Sequence, residues 1–78
     1  KSYNVDITLI TSDRKGIFSE ISKACEDMDI HIAGVNAKPF GDDTLKITLT
    51  LSITSTQHMQ KIQRVMRNIQ GMISVYRR

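Results

Sequence analysis

The stretch Asp13-Arg14-Lys15-Gly16-Ile17 marks the place where one hydrophobic rhythm gives way to another. Upstream, Tyr3, Val5, Ile7 and Leu9 alternate with Asn4, Asp6 and Thr8, the period of two that a strand with one buried face requires. Downstream, Ile17, Ile21, Ala24 and Met28 recur at helical spacing, joined by Phe18 and Cys25, which predicts a helix with one buried stripe. Ser19, Glu20, Lys23, Glu26 and Asp27 fall on its solvated side, and Asp29 closes it. A strand that passes so directly into a helix leaves first-turn N–H groups unpaired beside a partial positive charge, a setting suited to a small anion. Asp13 also reads as a helix N-cap, a role worth about 1 kcal/mol. A glycine at position 16 carries an entropic cost, which predicts close approach of either a neighbouring strand or a ligand.

Beyond this helix a second strand is expected from about Ile30 to Phe40. Ile30 and Ile32 share a face while Val35 and Ala37 fall out of phase, so one extra residue near Ala33-Gly34 predicts a bulge. Gly41-Asp42-Asp43 reads as a turn, followed by the clearest strand: Leu45, Ile47, Leu49, Leu51 and Ile53 against Lys46, Thr48, Thr50 and Ser52. Ser55 or Thr56 is suited to cap a second helix whose buried stripe is Met59, Ile62, Val65, Met66 and Ile69, with Gly71 as its stop. Ile73 and Val75 alternate with Ser74 and Tyr76 in a short last strand. The order β-α-β-β-α-β predicts an α+β fold: the ferredoxin-like sandwich, a four-stranded antiparallel sheet with both helices on one face. Asp6, Thr8, Lys46, Thr48 and Thr50 are expected on the uncovered face.

Seventy-eight residues make one domain, 1–78, and a start at Lys1 reads as a piece of a longer chain. Hydrophobic residues at 40% and charged residues at 24% argue against disorder. No apolar run approaches the roughly 20 residues that cross a bilayer, so no membrane partner is expected. The single Cys25 excludes an internal disulfide and a multi-cysteine metal site, and a reducing, cytoplasmic setting fits. Catalysis is not expected, nor a cofactor or bound metal. His31 and His58 stand in different elements with no nucleophile or ligand in register, His58 reads as surface-exposed, and Asp42-Asp43 belongs to a turn. The net charge of +3 permits nucleic acid as a partner without requiring it. RNA-recognition domains share this layout but stack bases on aromatics of the open face, and the outward positions of the first and third strands here carry none. Lys61, Arg64 and Arg67 on the second helix, with Arg78 at the end, form a candidate stripe for RNA or ribosomal phosphates, or a solvated face.

Asp13-Arg14-Lys15-Gly16-Ile17-Phe18-Ser19-Glu20-Ile21-Ser22, Ile30-His31-Ile32, Val35-Asn36-Ala37-Lys38 and Ile73-Ser74-Val75 together resemble an ACT domain. The longer Asp-Arg-Lys-Gly run with Val-Asn-Ala downstream is most similar to the C-terminal ACT domain of the Rel/SpoT proteins, which make and hydrolyse guanosine tetra- and pentaphosphate in the stringent response. The resemblance implies a non-catalytic regulatory domain that serves attached GTP pyrophosphokinase domains, pairs as a homodimer and senses amino-acid or ribosome status. It also implies an amino-acid effector near the seam of the pair. Thr11, Asp13, Arg14, Lys15, Gly16 and Ile17 would contribute from one subunit and His31 from the other, with the amides of Gly16 and Ile17 holding a carboxylate and Asp13 an ammonium group. A plain dimerisation module without a ligand is the simpler alternative.

Overall fold

In the computed structural model, which describes residues 1–78, the elements run β1 (Tyr3–Ser12), α1 (Ile17–Asp27), β2 (Ile32–Pro39), β3 (Thr44–Ile53), α2 (Thr56–Arg67) and β4 (Met72–Arg77). The strands form one antiparallel sheet in the order β2-β3-β1-β4. This is the predicted ferredoxin-like sandwich. β1 and β3 pair along their whole length, Tyr3 opposite Ile53 and Ser12 opposite Thr44. Their alternating residues Val5, Ile7, Leu9, Ile47, Leu49, Leu51 and Ile53 are buried against Ile17, Ile21 and Cys25 of α1 and Met59, Ile62 and Met66 of α2. Each such aliphatic side chain contributes about 1.5–3 kcal/mol through burial, and this one cluster holds both layers together.

Local chemistry sets the ends of the elements. Ser55 Oγ accepts from the His58 amide at 3.1 Å, the predicted cap of α2. Asp29 takes φ 57° beyond α1, and the Ile30 amide donates back to Cys25 O at 2.8 Å. Ile30 is thereby used as a buried anchor, and β2 begins two residues later than the expected Ile30. The bulge predicted near Ala33-Gly34 is present: Ile32 opposes Leu51 and Gly34 opposes Thr50, leaving Ala33 without a partner.

A second bulge was not apparent from the alternation. Ile10 opposes Ser74 while Thr11 opposes Met72, so Ile73 is the extra residue of β4. The expected burial of Ile73 beside Val75 is therefore corrected: Met72 packs on the core and Ile73 is 61% exposed. Phe18, expected on the buried stripe of α1, and Tyr3, expected in the buried phase of β1, are likewise 47% and 45% exposed, at the rim of the layer that the helices cover. His58 is half-buried rather than on the surface. Its Nδ1 lies 3.2 Å from Thr54 Oγ1 and its Nε2 lies 3.3 Å from Met28 O, which ties the start of α2 to the end of α1.

Candidate functional site

The elbow between β1 and α1 lies where three turns meet. Ser12 N donates to Gly71 O at 2.9 Å, Thr11 Oγ1 donates to the same carbonyl at 3.1 Å, and Asp13 N donates to Asp43 O at 2.8 Å. The central strand thus ends between the α2–β4 turn and the β2–β3 turn. Thr11 is completely buried by this arrangement.

Asp13 is not the N-cap. That position belongs to Gly16, with φ 87°, and no side chain caps the helix. Gly16 is required by this left-handed backbone, which costs other residues roughly 1–2 kcal/mol. Close packing is not the reason, since an added Cβ would meet only Arg14 Nη1 at 3.9 Å. The Ile17 amide, expected to hold a carboxylate, instead donates to Arg14 O at 3.3 Å, because the chain closes a turn there, and the Glu20 amide donates to Gly16 O at 3.0 Å. The amides of Lys15, Gly16, Phe18 and Ser19 donate to no group of the chain. These are the ordinary unpaired donors of a first turn, here without a side chain folded over them.

Arg14 stitches the elbow together. Its Nε donates to Gln70 O at 2.8 Å, its Nη1 to Lys15 O at 3.3 Å and its Nη2 to Glu20 Oε1 at 2.6 Å. Lys15 and Asp13 are exposed, and neither side chain is in an ion pair. The elbow therefore offers one committed guanidinium, a free ammonium, a free carboxylate and several free amides.

His31 lies at the other end of the sheet. Ile32 opposes Leu51, which opposes Val5, so His31 is separated from the elbow by most of β1, roughly 23 Å at ordinary strand rise. One chain does not bring His31 to the elbow. His31 borders a separate cleft with Ser22, Cys25 and Asp29. Burial pushes the Cys25 thiol up to about 11, away from the thiolate that nucleophilic chemistry needs.

The basic candidates divide between two faces. Lys61, Arg64 and Arg67 are exposed on α2, and Arg67 Nη2 leans to Val75 O at 3.5 Å. Arg78 instead lies on the uncovered face of the sheet, where its amide donates to Asp6 O at 3.1 Å. That face also carries an aromatic which a reading confined to the first and third strands misses. The register aligns Tyr76 with Thr8, Thr8 with Thr48, and Thr48 with Asn36. Tyr76 precedes the end of an edge strand, and its phase opposite buried Val75 was the available signal.

Comparison with known proteins agrees with this geometry. A family model described as the ACT domain matches residues 1–77. A GTP pyrophosphokinase of Myxococcus xanthus is 26% identical over 73 residues, 94% of this chain and 10% of that protein. The chain thus spans about a tenth of the length of this relative. Among solved structures, the ACT domain from GTP pyrophosphokinase of Chlorobium tepidum superposes with a TM-score of 0.85 at 18% identity, covering all of both chains. The C-terminal domain of the MgtC protein from Mycobacterium tuberculosis gives 0.80 at 16% identity over 96% of this chain and 84% of the other. With both helices, all four strands and the Gly16 elbow in place, the chain belongs to the ACT domain family.

Proposed function

We propose that this chain is the regulatory domain of a GTP pyrophosphokinase-like protein and senses an amino-acid effector at the β1–α1 elbow. The single observation that carries the reading is the Gly16 turn, where no side chain caps the helix, first-turn amides have no partner in the chain, and packing does not require the missing side chain. In this reading the amides of Gly16, Phe18 and Ser19 would hold a carboxylate at a helix N-terminus, and the exposed Asp13 carboxylate would hold an ammonium group. Lys15 adds positive charge at the rim. Arg14 and Thr11, both bonded within the elbow, hold its shape, and Ile17 anchors it in the core.

Homodimerisation completes the reading. His31 lies too far along the sheet to join the elbow of its own chain, so it joins the elbow of a second copy. Both sheet edges expose apolar residues suited to pairing, Val35 on β2 and Ile73 on β4. The attached catalytic domains would receive the signal. A cytoplasmic location suits this role, and no helix is long and apolar enough to cross a membrane. RNA or ribosome docking through Lys61, Arg64 and Arg67 is the second reading, with Arg78 on a different face.

Amide NMR during titration with individual amino acids tests the effector site. The expected result is shifts at Asp13–Ser19 and at His31, together with a concentration-dependent mass in sedimentation. Shifts confined to other residues, or none, would overturn the effector reading while leaving family membership intact.

A further inference from the structure

The uncovered face of the sheet carries a second and different cluster. Lys38 on β2 and Lys46 on β3 are direct cross-strand partners, with Cβ atoms about 5 Å apart as such pairs are. Like charges placed so are destabilising, and no carboxylate answers them: the ion pairs of the chain are Arg14–Glu20 and Lys23–Asp27, both elsewhere. Arg78 lines the far side of the same groove, two rows from the lysines and beside Asp6, whose carboxylate accepts from Thr50 Oγ1 at 2.7 Å. The groove encloses about 300 Å³, at the lower end of the range for small-molecule sites.

Its polar lining is uncommitted. Thr8, Thr48 and Tyr76 make no side-chain hydrogen bond within the chain, although Thr8 is almost fully buried beneath its neighbours. Tyr76, on the β4 edge, presents a half-exposed ring at one end, and the two lysines lie at the other. The lysines lie one row along from Tyr76, so Tyr76 is about 12 Å from Lys46 and about 16 Å from Lys38 at ordinary strand spacing and rise, the reach of one nucleoside bearing two phosphates. Thr8 and Thr48 lie between, and the half-buried Thr48 is the one accessible to a ribose there.

We infer that this groove binds a nucleotide, its base stacked on Tyr76 and its phosphates between Lys46 and Lys38, with Arg78 closing the side. Phosphate offsets the repulsion that the cross-strand lysines otherwise carry, and the ring supplies the sequence-tolerant stacking that bases receive from aromatics. The site is distinct from the elbow and does not depend on it.

The test is titration of the 78-residue chain, followed by amide NMR, with adenosine 5′-diphosphate, adenosine, pyrophosphate and a single-stranded hexanucleotide as probes. The expected result is shifts at Thr8, Lys38, Lys46, Thr48 and Tyr76, with the diphosphate binding more tightly than adenosine or pyrophosphate. Lys38→Gln with Lys46→Gln should weaken it by about tenfold or more, in line with loss of two charge-assisted contacts. Tyr76→Leu should remove its advantage over pyrophosphate, and Lys23→Gln on α1 should change nothing. Equal binding of pyrophosphate would reduce the groove to an anion site and overturn the proposal. Hexanucleotide binding without nucleotide binding would overturn it in favour of a nucleic-acid surface. Absence of shifts, or unchanged binding by the lysine variants, would end it outright.

Discussion

The turns at Gly16 and Gly71 meet at the same end of the sheet, and both carry the chain through left-handed backbone, with φ of 87° and 91°. They differ in what surrounds the missing side chain. A Cβ on Gly71 would lie 2.3 Å from Ser12 Oγ and 3.4 Å from Arg14 Nε, whereas one on Gly16 would meet only Arg14 Nη1, at an unstrained 3.9 Å. Gly71 is a packing glycine, required because β1 and the α2–β4 turn press together. Gly16 is a conformational glycine, and the space in front of it stays available to a visitor. Similar dihedral angles thus mark a packed joint in one turn and an unfilled surface in the other.

The sharpest way to break this comparison is Gly71→Ala, expected to cost about 3 kcal/mol or more from overpacking and positive φ combined. In a chain of this size that lowers the melting temperature by roughly 12 °C or more, as thermal unfolding will show. An equal cost at both glycines would remove the distinction. Gly16→Ala should cost only about 1–2 kcal/mol, the left-handed term alone. Ser12→Ala placed in the Gly71→Ala chain should restore about 1 kcal/mol by removing the clashing oxygen. A double-mutant cycle on melting curves reads that coupling, and strict additivity would show that Ser12 is not what the new methyl meets. Arg14→Ala should lose about 1 kcal/mol, since the Glu20 carboxylate is half-exposed and the Gln70 bond carries most of the effect.

Cys25 supplies a control remote from both turns. Its folded value lies above that of an unfolded thiol, so the folded chain retains the proton longer. Its contribution is fully present below pH 9 and is lost as pH rises toward 11. Cys25→Ala should flatten the part of the stability profile due to this group over that window, and native Cys25 should resist thiol reagents that label the unfolded chain.

Where the chain spoke through periodicity, the reading of the sequence was sound. The alternation in Tyr3–Leu9 and Leu45–Ile53 and the stripe Met59, Ile62, Met66 gave the topology, because one-sided burial imposes those periods. Even the bulge at Ala33 left a trace as a phase slip. The failures were places where tertiary contacts outweighed local preference. Asp13 has a capping side chain, but its amide is drawn to Asp43 O, and the helix begins three residues later. Ile73 has the right phase within its strand, but the shift opposite Ile10 and Thr11 belongs to a pairing sixty residues apart in sequence. The elbow was legible as a junction. That Arg14 would spend its donors on Gln70 and Glu20 was not, because the first contact depends on where another turn comes to rest. Tyr76 and the Lys38–Lys46 pair were each visible as residues, while their common groove exists only once three strands are in register.

The position of β4 gives the domain a directional mechanical weakness. It runs antiparallel to β1, with Arg77 opposite Ile7, so both chain ends emerge at the sheet end remote from the elbow. Tension applied through those ends would load the rungs of that ladder one after another, and the last strand would peel before β1 parts from β3. Peeling would withdraw the Gly71 carbonyl from Ser12 and Thr11, so a tug on flanking segments would slacken the elbow from the opposite end of the molecule.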